Sequence, residues 1–255
     1  MTIPRGSCAN AAAFGVGRGL SLQTRSLRRV VMTSPPNLLN DDGSASMATM
    51  LMMSHHAFRR DIARFERALT DARPSDDDRT QALREEWQNY HAALHGHHHM
   101  EDIGVFPSLR AASPDLALCL DGLGADHQRI DPLLVKGDAA FALLPDTNAA
   151  RAVVRELAAL LAPHLATEEA QLIPHLRPAK HFPPPPGDAE ADMYAQGFAW
   201  SSNGIAPDVL EQVFALLPAS LTSRLPAARA AFEARCQRVW GSAGTGAART
   251  PIPDL

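Results

Sequence analysis

The stretch HHHMEDIGVFPSL, residues 97–109, sets three histidines and two acids within six positions and then meets a proline. A second stretch, HLATEEAQLIPHL at 164–176, keeps the same frame. His97 and His164 each precede a glutamate by four residues, Glu101 and Glu168, and each glutamate is followed by another acid, Asp102 and Glu169. Pro107 and Pro174, then Leu109 and Leu176, fall at matching offsets. A spacing of four puts an imidazole and a carboxylate one turn apart on one face of a helix. The chain therefore reads as carrying the same donor-bearing helical block twice.

Outward from these blocks the pattern is helical. In 47–70 the seam is Leu51, His55, Phe58, Ile62, Phe65 and Leu69; in 79–106 it is Leu83, Trp87, Tyr90, Leu94, His97, Glu101 and Val105. In 114–136 it is Leu116, Leu120, Leu123, His127, Ile130 and Leu134, and in 148–176 it is Leu157, Leu161, His164, Glu168 and Leu172. This 4-3 rhythm is the inward stripe of a bundle helix. Ser113-Pro114 offers an N-cap and a first-turn proline, and ARPSDDD at 72–78 and LLPDTN at 143–148 supply turns. Pro132 and Pro163 lie inside segments three and four, where a bend is expected. The expected fold is all-α: an up-and-down four-helix bundle over 46–180, a proline-rich linker at 181–187, and a helical C-terminal extension over 188–255. Helices are expected there at 207–217 and 225–240, with Phe232, Cys236 and Trp240 on one face. The tail reads as a small appendage leaning on the bundle, fraying from Gly241.

Residues 1–45 have no acid before Asp41, five arginines and many small residues. They read as a disordered leader or a misplaced start, with Met32 and Met47 as alternative starts, rather than as a targeting segment. The formal charge is −4, which argues against nucleic acid as a partner. No apolar run is long enough for a membrane span. Three widely spaced cysteines, Cys8, Cys119 and Cys236, form no disulfide framework and suit a reducing cytoplasm. Histidine is the outlier: five of the eleven fall within residues 91–99.

Six polar residues occupy apolar slots in the seams: His55, His97, Glu101, His127, His164 and Glu168. A buried carboxylate without a partner is costly, so two of them with four imidazoles call for a shared counter-charge, which metal ions supply. Imidazole suits Fe, Zn, Cu or Ni, while carboxylate oxygens suit harder ions. A carboxylate has two oxygens and can bridge two ions, so the duplicated block reads as one centre built from facing helices. The remaining histidines read more plainly. His56 flanks the seam, His91, His95 and His99 face away from it, and His175 ends a helix. Asp102 and Glu169 are expected to hydrogen-bond behind the site or to face solvent. Met47, Met50, Met52 and Met53 read as packing at a helix start.

The motifs resemble those of hemerythrin-like (HHE) domain proteins: a histidine on helix one (HHAFRRDI), His-x-x-x-Glu on helix two, a histidine on helix three (DHQRIDPLL) and His-x-x-x-Glu on helix four. The resemblance spans about residues 47–176. It implies a non-haem di-iron centre with the four histidines as terminal ligands and Glu101 and Glu168 as bridges. It further implies a cytoplasmic protein that binds or senses O2, NO or peroxide. A di-iron oxidoreductase that removes peroxide or nitric oxide is one alternative, and a structural or zinc-binding bundle without redox function is another. Oxygen-carrying hemerythrins have a second histidine on helix three, where this chain has Asp131, and a last carboxylate at the position of Glu169. The fifth nitrogen ligand is therefore open, with His98 the first candidate and Asp131 an oxygen alternative. The sequence names no partner for the tail.

Overall fold

The computed structural model describes residues 37–70, 77–182 and 184–241, all within one compact unit. Of the expected leader, residues 1–36 lie outside the described residues, as do residues 242–255 at the other end. Among the described residues there is no strand. The helices are α1 (Met47–Thr70), α2 (Asp77–Met100), α3 (Phe106–Ala112), α4 (Ala117–Ala142), α5 (Asn148–Gln171), α6 (Ile173–Leu176), α7 (Asp188–Ser201), α8 (Pro207–Ala215), α9 (Ala219–Thr222) and α10 (Leu225–Trp240). None is long and apolar enough to cross a membrane.

The four long helices α1, α2, α4 and α5 form the bundle. Helix α5 packs between α1 and α4, and α2 closes the ring against α4 and α1. The seams bury as the spacing dictates: Phe58, Ile62 and Phe65 from α1, Trp87 and Leu94 from α2, Ile130 and Leu134 from α4, Leu157 and Leu161 from α5. At the start of α1 the seam shifts, and Met52 and Met53 are buried rather than Leu51. Pro132 and Pro163 lie inside α4 and α5, which run on through them. Segment two does not run unbroken to 106: α2 ends at Met100 and passes through a π-type turn, Glu101–Val105, into α3.

The core does not stop at the end of the bundle. Ala199 of α7 and Phe232, Cys236, Val239 and Trp240 of α10 belong to the same apolar cluster as Phe65 and Trp87. The Trp240 ring lies 5.1 Å from that of Phe65. The AQGFAW stretch falls in α7, a helix the expected 207–217 and 225–240 pair omits, and buries Ala195, Phe198 and Ala199. A buried polar knot fixes α7 to α1. Arg60 donates to the carbonyls of Trp200 and Asn203, at 2.9 and 2.8 Å, satisfying groups left open where α7 ends. Asp61, 2 % exposed, accepts from Arg60 (2.8 and 2.9 Å), Arg64 (3.0 Å) and the Trp200 indole (2.7 Å). The arginines hold its carboxyl below the usual range despite burial. Residues 37–45, within the expected leader, pack back as well: Leu38 and Ala45 are buried, and Thr49 donates to the Leu38 carbonyl at 2.7 Å.

Candidate metal centre

The two blocks place their glutamates at the last regular turn before a proline-induced break. Pro107 has no N–H to continue an α-helix, and its ring clashes with the carbonyl four residues back. The chain widens into a π turn in which the Phe106 N–H bonds the Glu101 carbonyl five residues back. In the second block Leu172 N–H bonds the Glu168 carbonyl at 2.7 Å, and the helix restarts at Ile173, ahead of Pro174. The donors thus sit on helix ends that the proline fixes.

All six seam-breaking residues converge in the bundle interior. Glu168 divides its oxygens: Oε2 lies 3.3 Å from His55 Nε2 and Oε1 lies 3.4 Å from His164 Nε2. Glu101 does the same, with Oε1 3.2 Å from His97 Nε2 and Oε2 3.6 Å from His127 Nε2. His55, His164 and Glu168 are fully buried, and Glu101 and His127 are 2 and 3 % exposed. The Nε2 atoms of His55, His97, His127 and His164 and both oxygens of Glu101 and Glu168 have no hydrogen-bond partner. Lone pairs facing one another in a sealed interior are a costly arrangement. Cations between them would satisfy every one. The donors fall into sets whose ligand atoms lie within 4.8 Å of one another: His55, His97, Glu101 and Glu168 on one side, and Glu101, His127, His164 and Glu168 on the other. The donor set fits two metal ions sharing two carboxylates.

Behind this layer stands a second row of acids. His55 Nδ1 lies 2.9 Å from Glu169, which also pairs with Arg59. His127 Nδ1 lies 2.9 Å from Asp102. A ring that gives its Nδ1 proton to a carboxylate turns Nε2 inward as a bare donor. The logic of the repeated Glu-acid pair is now visible: the first acid of each block lines the centre, and the second orients a histidine on another helix. Asp131 does not line the centre; it accepts from His98 Nδ1 at 2.7 Å and meets His95 Nδ1 at 3.1 Å. His98 itself is buried, and His98, His127 and His164 form a further set of potential ligands. Aromatic rings wall the site, Phe106 stacked on His127 and Phe58 against His97.

The other histidines lie off the centre. His56 is buried against the Asn203 carbonyl at 3.2 Å, His91 pairs with Asp138 at 3.0 Å, and His175 meets Ser113 at 3.1 Å. His95 and His99 are exposed. Arg59 went unnoticed in the sequence, although its place four residues after His55 puts it on the same helix face.

Electrostatics follows from burial. Burial, then Glu168 and Asp102, drives the Glu101 carboxyl well above its usual range. Burial and the neighbouring imidazoles hold His97 well below its ordinary value and push His98 to about 4 and His164 to about 2. His55 runs the other way: burial opposes, but Glu168 and Glu169 together raise it. The same pairing, joined by Arg59, brings Glu169 down to about 2 against burial. His97, His98 and His164 are thus free of a favourable proton, the state in which imidazole binds metal.

Comparison with known proteins gives one result that bears on this geometry. The family model described as the hemerythrin HHE cation binding domain matches residues 46–182, more than half of the chain. Searches of curated proteins and of solved structures find no match. The bundle, the two His-x-x-x-Glu blocks and the matching span agree: the chain belongs to the hemerythrin HHE cation-binding family.

Proposed function

We propose that this centre holds two iron ions and that the protein binds or senses a small oxidant or gas there, O2, NO or peroxide, in the reducing cytoplasm. The observation that carries the reading is the division of each buried carboxylate between two imidazole sets. A mixed nitrogen and oxygen donor set of this kind suits iron. Iron, when bound, supplies the redox chemistry and the affinity for such ligands. The chain does the rest. His55, His97, His127 and His164 are terminal donors, and Glu101 and Glu168 are bridges. Asp102 and Glu169 hold two of the rings in register. Phe58 and Phe106, packed on the His97 and His127 rings, exclude water there. Unpaired Cys119 and Cys236 support a reducing compartment.

The tail is the candidate output of a sensor. Phe58 lies 5.2 Å from the His97 ring and 5.0 Å from that of Trp200, so one side chain touches both a ligand and α7.

The test is metal content together with the optical spectrum before and after anaerobic reduction and return to air. About two irons per chain with an absorption band that reversibly follows oxidation is expected. Absence of iron uptake after anaerobic ferrous loading, or zinc held at about one per chain, overturns the reading in favour of a structural bundle. Steady consumption of peroxide or NO, lost in Glu101→Ala and Glu168→Ala, overturns sensing in favour of an oxidoreductase.

A further inference from the structure

The outer side of the α2–α4 pair carries histidines that the buried centre does not use. His91 and His95 lie one turn apart on one face of α2. His91 Nδ1 lies 3.0 Å from both oxygens of Asp138, and His95 Nδ1 lies 3.1 Å from Asp131 Oδ2. These acids stand two turns apart on α4, and each is also tied inward to a buried ring. The Trp87 indole donates to Asp138 Oδ1 at 2.9 Å, and His98 Nδ1 donates to Asp131 Oδ1 at 2.7 Å. Trp87 and His98 are 0 and 1 % exposed. The two outer histidines are therefore held through their acids by the core, not left loose on the surface. A ring that gives its Nδ1 proton to a carboxylate keeps a lone pair on Nε2. Neither Nε2 has a partner among the described residues, and the two side chains are 23 and 60 % exposed. The rings stand edge to face with centroids 6.3 Å apart.

We propose that His91 and His95 form a second cation site, on the outside of the bundle, that takes one divalent ion of the copper, nickel or zinc class through their two Nε2 atoms. Ions late in the first transition row prefer imidazole nitrogen to oxygen donors. Metal–nitrogen bonds of about 2 Å put the centres of two rings on one ion about 5–6 Å apart, so closure on the ion asks for little movement. Water fills the remaining positions. Asp138 and Asp131 are positioning residues: they touch the rings and not the ion. His99, one turn further along α2, has no such acid behind it among the described residues. The site goes beyond the function proposed above and does not depend on iron in the buried centre.

Calorimetric titration of the full-length, metal-free protein with Ni(II) tests this. Wild type takes up one nickel ion that His91→Ala and His95→Ala each lose and that His99→Ala keeps. Asp138→Asn, which still accepts from the Trp87 indole but no longer offers a carboxylate to His91, weakens that step by about 10-fold. The step persists in the folded His97→Leu/His164→Leu variant, which lacks two donors of the buried centre. Nickel uptake unchanged in both alanine variants, or lost equally in His99→Ala, overturns the assignment. So does loss of the step in the folded His97→Leu/His164→Leu variant, which places the ion in the buried centre. If His91→Ala does not fold, His95→Ala, at the more exposed position, decides: loss of the step supports the proposal, and retention overturns it. Wild type that takes up this nickel ion but never iron sinks the iron reading and leaves this inference standing. Wild type that loads two irons yet shows no such nickel step overturns this inference alone.

Discussion

Replacing His56 by glutamine should flatten the acid side of the stability profile by about 3 kcal/mol. His56 follows a proposed ligand but faces the tail. It is 2 % exposed, and its Nε2 donates to the Asn203 carbonyl at 3.2 Å. Burial, reinforced by Arg60 and Arg64, lowers its pKa from 6.5 to about 4. In the unfolded chain the ring protonates below about 6.5. The native ring stays neutral down to about 4, so between those values the unfolded state binds more protons. Stability from this group is complete above the unfolded pKa and drains as pH falls through the window. At roughly 1.4 kcal/mol per unit the loss is about 3 kcal/mol. Glutamine keeps an N–H donor near the carbonyl and does not titrate. Urea unfolding of the metal-free proteins at several pH values from 7 to 4 measures the effect. The difference between variant and wild type should move steadily in favour of the variant as pH falls. Parallel profiles would refute the argument and show that the ring is protonated, or solvated, in the native state.

Three further outcomes are expected. A methyl group added at Gly137 would sit 1.9 Å from the Trp87 ring, which is wedged against Phe141 with centroids 4.5 Å apart. Gly137→Ala should therefore destabilise by about 1–3 kcal/mol although alanine is the better helix former, as a urea midpoint will show. Asp61→Ala leaves Arg60 and Arg64 without their shared buried anion and should cost about 3–5 kcal/mol by the same measurement. Glu101→Gln removes a carboxyl that burial and Glu168 hold well above its usual range; thermal unfolding should show the metal-free variant as stable as wild type or more so, while the gain on adding ferrous iron shrinks.

The bundle and the six lining residues were legible because they rest on local periodicity. Histidine or glutamate in an apolar slot breaks a 4-3 rhythm that any reader can count, and the pairing of His97 with Glu101 is fixed by one helical turn. Long-range partners left no such trace. Asp131 reads as a missing ligand until the fold shows it bonded to His98, because nothing in the spacing relates position 98 to 131. The same holds for Asp102 and His127, on different helices. The π turn at Glu101 was hidden for another reason: Pro107 announces a break but does not say which turn absorbs it. In the tail, the burial of Ala195, Phe198 and Ala199 depends on where α7 lies against α1, and the weak amphipathic pattern of that helix conceals its inner face.

The shared core has a consequence for inheritance. The family match ends at residue 182, yet Phe232, Cys236 and Trp240 lie beyond it and complete the packing around Phe65 and Trp87. A boundary drawn by likeness and one drawn by burial therefore disagree. Exchange of this tail for another by recombination would strip the bundle of part of its interior. The tail is not a portable module, and a substitution at Trp240 or Phe232 must be tolerated by Phe65 and Trp87 before it can persist. Substitutions at Phe65 or Trp87 and substitutions at Phe232, Cys236 or Trp240 therefore constrain one another.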